Sequence, residues 1–366
     1  MKKIILWAVL GAGLFLASPA YADITIAAVG PVTGEMAFFG EQMKRGAEQA
    51  VADINAHGGI NGEKIVLRVM DDACDPKQAV AVANQMASAG VKFIVGHFCS
   101  SPAIVASKVY NEEGIFAITP SATNPALTDA GFKTIFRACG RDDQQGSVDA
   151  NYILEHFHDK KIAIAHNQTA WGEGIARELK KTLNAGGVKE VLFDTFTPGE
   201  REYSSFISRL KQARVEVAFL GGFYTEVGLI VRQMKEQDAH MQIIGGDALV
   251  TDNFWAITGP AGEGVLMSFG PDPRKQPEAK SVVEAFRKGG YEPEGYTLNT
   301  YAAFQAIAEG IKRAGKADPS SVALALHQKP VNTIIGPLAF DAKGDLAGSH
   351  FVMYRWHDGK YTETGD

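Results

Sequence analysis

Lys64 to Gly96 reads KIVLRVMDDACDPKQAVAVANQMASAGVKFIVG, and this stretch decides the fold class. KIVLRVMDD and VKFIVG are short, apolar and rich in Val and Ile, which predicts buried β-strands. The segment between them is built as a helix. Asp75 stands where an N-cap belongs, Pro76 occupies the first helical position and Gly90 falls just past the end. Strand, helix and strand in this order predict two parallel strands with a crossover helix.

The alternation extends both ways along the chain. ITIAAVGP from Ile24 reads as a strand, and Met43, Ala47, Val51 and Ile54 then recur at helical spacing before Gly58-Gly59. KIAIAHNQ from Lys160, EVLFDTFT from Glu190, VEVAFLGG from Val215 and MQIIGGD from Met241 repeat the strand pattern, with helical spacing between them. These are too many strands for one compact sheet. The pattern predicts an α/β chain with two doubly wound parallel sheets, joined by short connections.

The N-terminus carries an export signal. Lys2 and Lys3 precede an apolar run from Ile4 to Leu16, and AYA ends at Ala22 with small residues where a signal peptidase cuts. The run is too short to span a bilayer comfortably. The expectation is a cleaved signal peptide over residues 1–22, the alternative being an uncleaved anchor. No Cys stands at the cleavage point, which argues against a lipoprotein. Loss of Lys2 and Lys3 takes the formal charge from −6 to −8. With no basic run, nucleic acid and anionic membrane are poor partners.

In doubly wound sheets ligands bind beyond the carboxyl ends of the strands. Three such ends attract attention. IVGHFCSSPAIVAS, from Ile94, runs from a strand into a helix whose start offers unpaired N–H groups beside the hydroxyls of Ser100 and Ser101. That suits a carboxylate or phosphate; the plainer reading has Ser101 capping its own helix, with Pro102 as first helical residue. GIFAITPSATNPALT ends a strand at Ser121, Ala122 and Thr123, and again a self-satisfied cap is the plainer reading. IIGGDALVTDNF places Asp247 at a strand end, either facing a cation or capping a helix. Together they suit a zwitterion held between two domains.

An enzyme is the weaker reading. His97 shares a strand face with Cys99 and stands near Ser100, but no third group in the sequence orients it. Cys99 also has another use, because Cys74 ends the neighbouring strand and a Cys74–Cys99 disulfide fits an exported chain. Cys139 is then the spare thiol. Phosphate-loop and nucleophile-elbow motifs are absent, and His156 and His158 lack further metal ligands. No cofactor and no metal is called for.

DDACDPKQAVAVAN, VGHFCSS, ITPSATNP, WGEGIARELK, GGFYTEVGLIVRQ and NTYAAFQAI together resemble the periplasmic leucine/isoleucine/valine-binding proteins of ABC importers, in order along essentially the whole mature chain. The resemblance implies a type I solute-binding fold, with two α/β lobes, three crossovers and closure on a ligand in the cleft. It implies an N-terminal lobe of residues 23–141 plus 270–348 and a C-terminal lobe of 142–269 plus 349–366. It places the ligand carboxylate on Ser100 and Thr123, and the ammonium on the Ser121 carbonyl and on Asp247, where the family has Glu. The side-chain pocket falls on Phe39, Phe98, Trp171, Phe223 and Tyr296. Phe98 stands where a smaller Leu is common and Trp171 where Tyr is, so small aliphatic amino acids are expected over Leu. The shorter Asp247 leaves room for an ammonium displaced from the α position. The implied function is a monomeric periplasmic protein delivering an amino acid to a membrane permease, the alternative being a sensor subunit for a membrane receptor.

Overall fold

The computed structural model describes residues 23–348 and 350–364. The expected leader, 1–22, lies outside the described residues. Among those described, no helix is long and apolar enough to cross a membrane.

The first lobe begins β1 (Ile24–Gly30), α1 (Ala37–Ala56), β2 (Ile65–Asp71), α2 (Pro76–Ser88), β3 (Phe93–Gly96), α3 (Ser100–Glu112), β4 (Phe116–Thr119), α4 (Ala126–Asp129) and β5 (Ile135–Arg137). The capping reading of α2 holds: Asp75 accepts from the N–H groups of Lys77 at 2.9 Å and Gln78 at 2.8 Å, with Pro76 first in the helix. The strands form an all-parallel sheet in the order β2-β1-β3-β4-β5. Period-two alternation explains its two covered faces. In β1, Ile26 and Ala28 join the core with Met43 and Ala47 of α1, while Ala27 and Val29 pack with Ala79 of α2 and Ala103 of α3.

The chain then builds the second lobe from α5 (Asp142–His156), β6 (Ile162–His166), α6 (Ala170–Ala185), β7 (Leu192–Thr195), α7 (Ser204–Gln212), β8 (Val217–Gly221), α8 (Tyr224–Glu236), β9 (Gln242–Gly245), α9 (Asp252–Thr258) and β10 (Leu266–Phe269). It returns through α10 (Lys280–Lys288), α11 (Thr297–Ala314), α12 (Pro319–Gln328) and a small hairpin, β11 (Val331–Thr333) and β12 (Gly336–Leu338). α11 packs on α1 and β3, and α12 on β4, so this return completes the first lobe. A third passage delivers β13 (Val352–His357) and β14 (Lys360–Glu363) to the second sheet.

That second sheet runs β7-β6-β8-β9-β10-β13-β14. Its first five strands are parallel, as expected, but β13 and β14 are antiparallel. The reason is directional. The third passage enters beside the end where β10 leaves, so β13 runs back along it. Asp358 and Gly359 then turn the chain with φ of 46° and 76°, the positive pair a two-residue hairpin turn needs.

Candidate functional site

Both sheets change strand order at an inner position, between β1 and β3 in the first and between β6 and β8 in the second. These switch points open a crevice at the carboxyl ends of their strands, and the two crevices face each other. Phe39 follows β1, Ser100 follows β3 and Ser121 follows β4; Trp171 follows β6, Phe223 follows β8 and Asp247 follows β9. Tyr296 arrives from the start of α11. These residues, with Phe98, line a single cavity, and Thr123 is fully buried next to the loop that carries Ser121. Eight of the nine residues that the resemblance assigns to the ligand thus line one cavity, and Thr123 lies buried behind it.

Close approach of backbone shapes the first wall. Gly96 ends β3 at φ +135°, and a Cβ there would lie 2.2 Å from the Val29 carbonyl oxygen. The chain then turns through His97 and Phe98. Thr119 Oγ1 donates to the His97 carbonyl at 2.7 Å and accepts from the Ala122 N–H at 2.9 Å. Ser121 Oγ donates to the Phe98 carbonyl at 2.7 Å, which spends its side chain on the loop. Ser100 Oγ accepts from the Asn124 N–H at 3.3 Å, so its own proton is left to donate elsewhere. Ser100 is the first residue of the 13-residue α3, where N–H groups lack intrahelical partners.

Two expectations about this wall need correction. Ser101 does not cap α3: the N-cap is Cys99, Pro102 is the third helical residue, and Ser101 Oγ instead accepts from the Ala170 N–H of the second lobe at 3.1 Å. A third group does orient His97. Asp72 approaches its Nδ1 at 2.6 Å and the Tyr110 hydroxyl approaches its Nε2 at 2.7 Å, all of them buried. Both ring nitrogens are thereby occupied away from Ser100. Cys99 is bonded to Cys74, with their Cα atoms 5.6 Å apart, and Cys139 is the buried free thiol. No nucleophile and base are paired at this wall.

The opposite wall is acidic and aromatic. Asp247 is buried, and Tyr296 donates its hydroxyl to Asp247 Oδ2 at 2.5 Å. Burial pushes the Asp247 carboxyl up to about 6, while Tyr296, and then the nearby Gln145 and Trp171, favour its ionised form. Asp247 Oδ1 and the Trp171 indole nitrogen have no hydrogen-bond partner of normal geometry. Gly246 lets these groups meet, because a Cβ there would come within 3.0 Å of the Trp171 ring and 3.2 Å of Gln145 Nε2. The rings close the space between lobes. Phe39 stacks on Phe98 with centroids 5.4 Å apart, Trp171 lies flat on Phe223 at 5.4 Å, and Phe98 meets Tyr296 edge-on at 5.9 Å. What remains is about 30 Å³, room for very few water-sized groups.

Four further residues belong to the site and escaped the sequence reading. Arg137, fully buried, donates to the carbonyls of Ala122 at 2.7 Å and Asn124 at 3.1 Å, which brackets Thr123 from behind. Its Nε donates to Asp345 at 2.5 Å. Asp142, Gln145 and Asp149 share one face of α5. Asp142 is fully buried and its carboxyl oxygens have no hydrogen-bond partner of normal geometry; burial pushes its carboxyl well up, the nearby Thr123 hydroxyl opposes, and Asp247 adds to the rise. Gln145 Nε2 donates to Ser268 Oγ at 2.9 Å, and Ser268 Oγ donates to Asp149 at 3.0 Å. For Arg137, Asp142 and Gln145 the only sequence signal was a run of charge, FRACGRDDQQ, that begins inside β5.

Residues 23–360 match the family profile described as periplasmic binding protein. The chain is 48% identical over 356 residues to the Leu/Ile/Val-binding protein homolog 1 of Brucella melitensis biotype 1, covering 96% of each. It is 48% identical over 350 residues to an amino acid binding protein of Pseudomonas aeruginosa PAO1, covering 94% of each. In three dimensions it is similar to the branched-chain amino acid transporter substrate binding protein LivJ of Streptococcus pneumoniae, solved in complex with isoleucine, with a TM-score of 0.84, 24% identity and coverage of 93% and 97%. A leucine binding protein, LivK, of Thermotoga maritima superposes with a TM-score of 0.87 at 23% identity, covering 93% and 98%.

Proposed function

The chain belongs to the periplasmic binding protein family, a family of solute binders, and on that premise we propose that it captures a free aliphatic amino acid between its lobes and delivers it to the permease of an ABC importer. In this reading the leader is cut after Ala22 and the protein works in the periplasm as a monomer. The lobes divide as 23–141 plus 270–348 and 142–269 plus 349–366, a division supported by which sheet each strand joins.

The observation that carries the reading is the meeting of donors and acceptors of opposite sense at one cavity. The Ser100 hydroxyl, the N-terminal N–H groups of α3 and the Thr123 hydroxyl receive the ligand carboxylate, helped by the helix dipole. The Ser121 carbonyl and Asp247 receive the ammonium. Asp247, ionised near neutral pH, pairs with the ammonium, and Tyr296 holds the carboxylate in place. Phe39, Phe98, Trp171 and Phe223 exclude water, which strengthens each charged contact.

The Phe39–Phe98 and Phe98–Tyr296 ring contacts support a preference for compact side chains. Ala, Val, Pro or a short ω-amino acid fit this reading better than Leu, although the Brucella relative is named for Leu, Ile and Val. A thermal-shift panel of all amino acids and short ω-amino acids tests it. A ligand at about a hundred times its Kd stabilises by about 2.7 kcal/mol, so compact aliphatic ligands should raise the midpoint clearly. A panel in which no amino acid moves the midpoint sinks the proposal.

A further inference from the structure

Ala170 opens α6 in the second lobe, and both of its backbone polar groups are held by the first lobe. Its N–H donates to Ser101 Oγ at 3.1 Å, and its carbonyl accepts from Asn124 Nδ2 at 2.6 Å. The grip is rigid. Asn124 Oδ1 accepts from the Ala126 N–H at 2.9 Å, which fixes the amide with Nδ2 toward Ala170. The Asn124 backbone is itself held by Ser100 Oγ at 3.3 Å and by Arg137 at 3.1 Å.

A second feature is made for this grip. Gly174 lies inside α6, where glycine costs about 1 kcal/mol of helix stability relative to alanine. A Cβ at Gly174 would stand 2.4 Å from Asn124 Nδ2. The helix forgoes a side chain at the one place where the Asn124 amide crosses between lobes. Each gripping residue is also the chain neighbour of a cavity group: Ser101 follows Ser100, Asn124 follows Thr123, and Trp171 follows Ala170.

We propose that Ser101 and Asn124 are positioning residues for ligand capture: they lock the Ala170 peptide groups when the cleft shuts and so hold Trp171 over the ligand without touching it. The proposal rests on the binding reading above. When the cleft is open, these groups bond to water instead, so the latch contributes only to the closed state. It raises affinity by the same factor for every ligand that fits.

Calorimetry and stopped-flow kinetics with Ala, Val and Leu on three variants provide the test. Ser101→Ala should weaken every ligand that binds by about fivefold, through faster dissociation, and Ser101→Thr, which keeps the hydroxyl, should restore affinity to within about twofold. Gly174→Ala should weaken binding by at least about tenfold while the empty protein melts no lower, because alanine favours the helix. A loss confined to one ligand, or an empty Gly174→Ala protein destabilised in proportion, overturns the latch. Should the wild type bind no amino acid, the preceding reading falls, and the latch is judged on the empty protein by X-ray scattering. There the wild-type radius of gyration should match the closed structure, and Asn124→Asp, which sets a carboxylate oxygen against the Ala170 carbonyl, should raise it; an unchanged radius, including one already wide in the wild type, overturns the latch.

Discussion

Tyr296, carried by the first lobe, donates its hydroxyl to Asp247 of the second lobe at 2.5 Å. The same bond bridges the lobes and orients the acid at the cavity. Tyr296 is anchored in turn by its backbone N–H, which donates to Gln42 Oε1 of α1 at 3.1 Å. The acid can meet a cation only where this first-lobe scaffold places it.

Ligand affinity should depend on pH through Asp247. Burial pushes its carboxyl up from 3.8 to about 6. An ammonium beside it favours the ionised form, so below about pH 6 a proton leaves as the ligand enters. Affinity should be full above about pH 6 and fall by up to tenfold per unit below it. The facing Asp142 and Asp149 are pushed well up by burial, and the Tyr296 hydroxyl also stays protonated in this window. Calorimetry between about pH 5 and about pH 8 measures the slope; a flat profile rules out this role for Asp247.

Asp247→Asn should separate binding from stability. Removing one partner of a buried charge pair costs about 2–5 kcal/mol, at least about thirtyfold in affinity. The empty protein should respond in the other direction. Its penalty for an ionised buried carboxylate is absent below the unfolded value of 3.8, grows through the interval and is complete above about 6. Near neutral pH the variant should thus melt no lower than wild type. A loss of affinity under about threefold would reduce Asp247 to a cap.

Phe98→Leu tests the selectivity filter. Overfilling a packed site costs about 1–3 kcal/mol, enough to cancel the roughly 0.8 kcal/mol gained per buried methylene. The variant should improve Leu relative to Ala, measured by calorimetry against Ala, Val and Leu. If the wild type already binds Leu tightest and the order survives the change, the Phe98 ring filters nothing.

Thiol counting addresses the disulfide. With Cys74 and Cys99 bonded, only Cys139 is free, and burial pushes its thiol up, so it reacts slowly in the folded protein. The unfolded, unreduced protein should titrate one thiol, and reduction should expose all three cysteines. Three thiols before reduction would contradict the bridge.

Arg137→Met should destabilise the first lobe. It removes the cation facing Asp345 and takes one donor from each of the Ala122 and Asn124 carbonyls, which keep only Cys139 Sγ at 3.6 Å and the Leu127 N–H at 3.3 Å. Breaking a buried pair typically costs about 3–5 kcal/mol. Arg141 still reaches Asp345 at 2.6 Å, which places the expectation near about 3 kcal/mol by urea unfolding. A change below about 1 kcal/mol would show that the Thr123 loop holds itself.

The sequence was readable where signals are local. Alternating runs marked the strands, Asp75-Pro76 marked a helix start, and residues at strand ends marked the cavity because doubly wound sheets put their switch points there. Misreadings came where the partner lies far along the chain. Ser101 carries the local pattern of a cap, yet its partner, Ala170, is 69 residues away. His97 looks unoriented until Asp72, 25 residues back, arrives at the end of the neighbouring strand. Arg137 drew no reading at all, because the Asp345 carboxylate that completes its surroundings comes 208 residues later. The antiparallel edge was legible in principle, since Asp358-Gly359 is a strong hairpin turn signal.

The return of α11 to pack on α1 has a consequence for how the molecule acquires its shape. The hydrogen bond from Tyr296 to Gln42 spans 254 residues, and one face of the first sheet stays only partly covered, by α1, until that late helix is in place. Such non-local closure is slow, because chain entropy is lost before the contact rewards it. A fragment ending near Arg141 would leave the apolar faces of α1 and β3 exposed to water and prone to self-association. For a polypeptide threaded through a membrane N-terminus first, this delay is useful: the leading half cannot lock into a finished globule before the trailing half has followed.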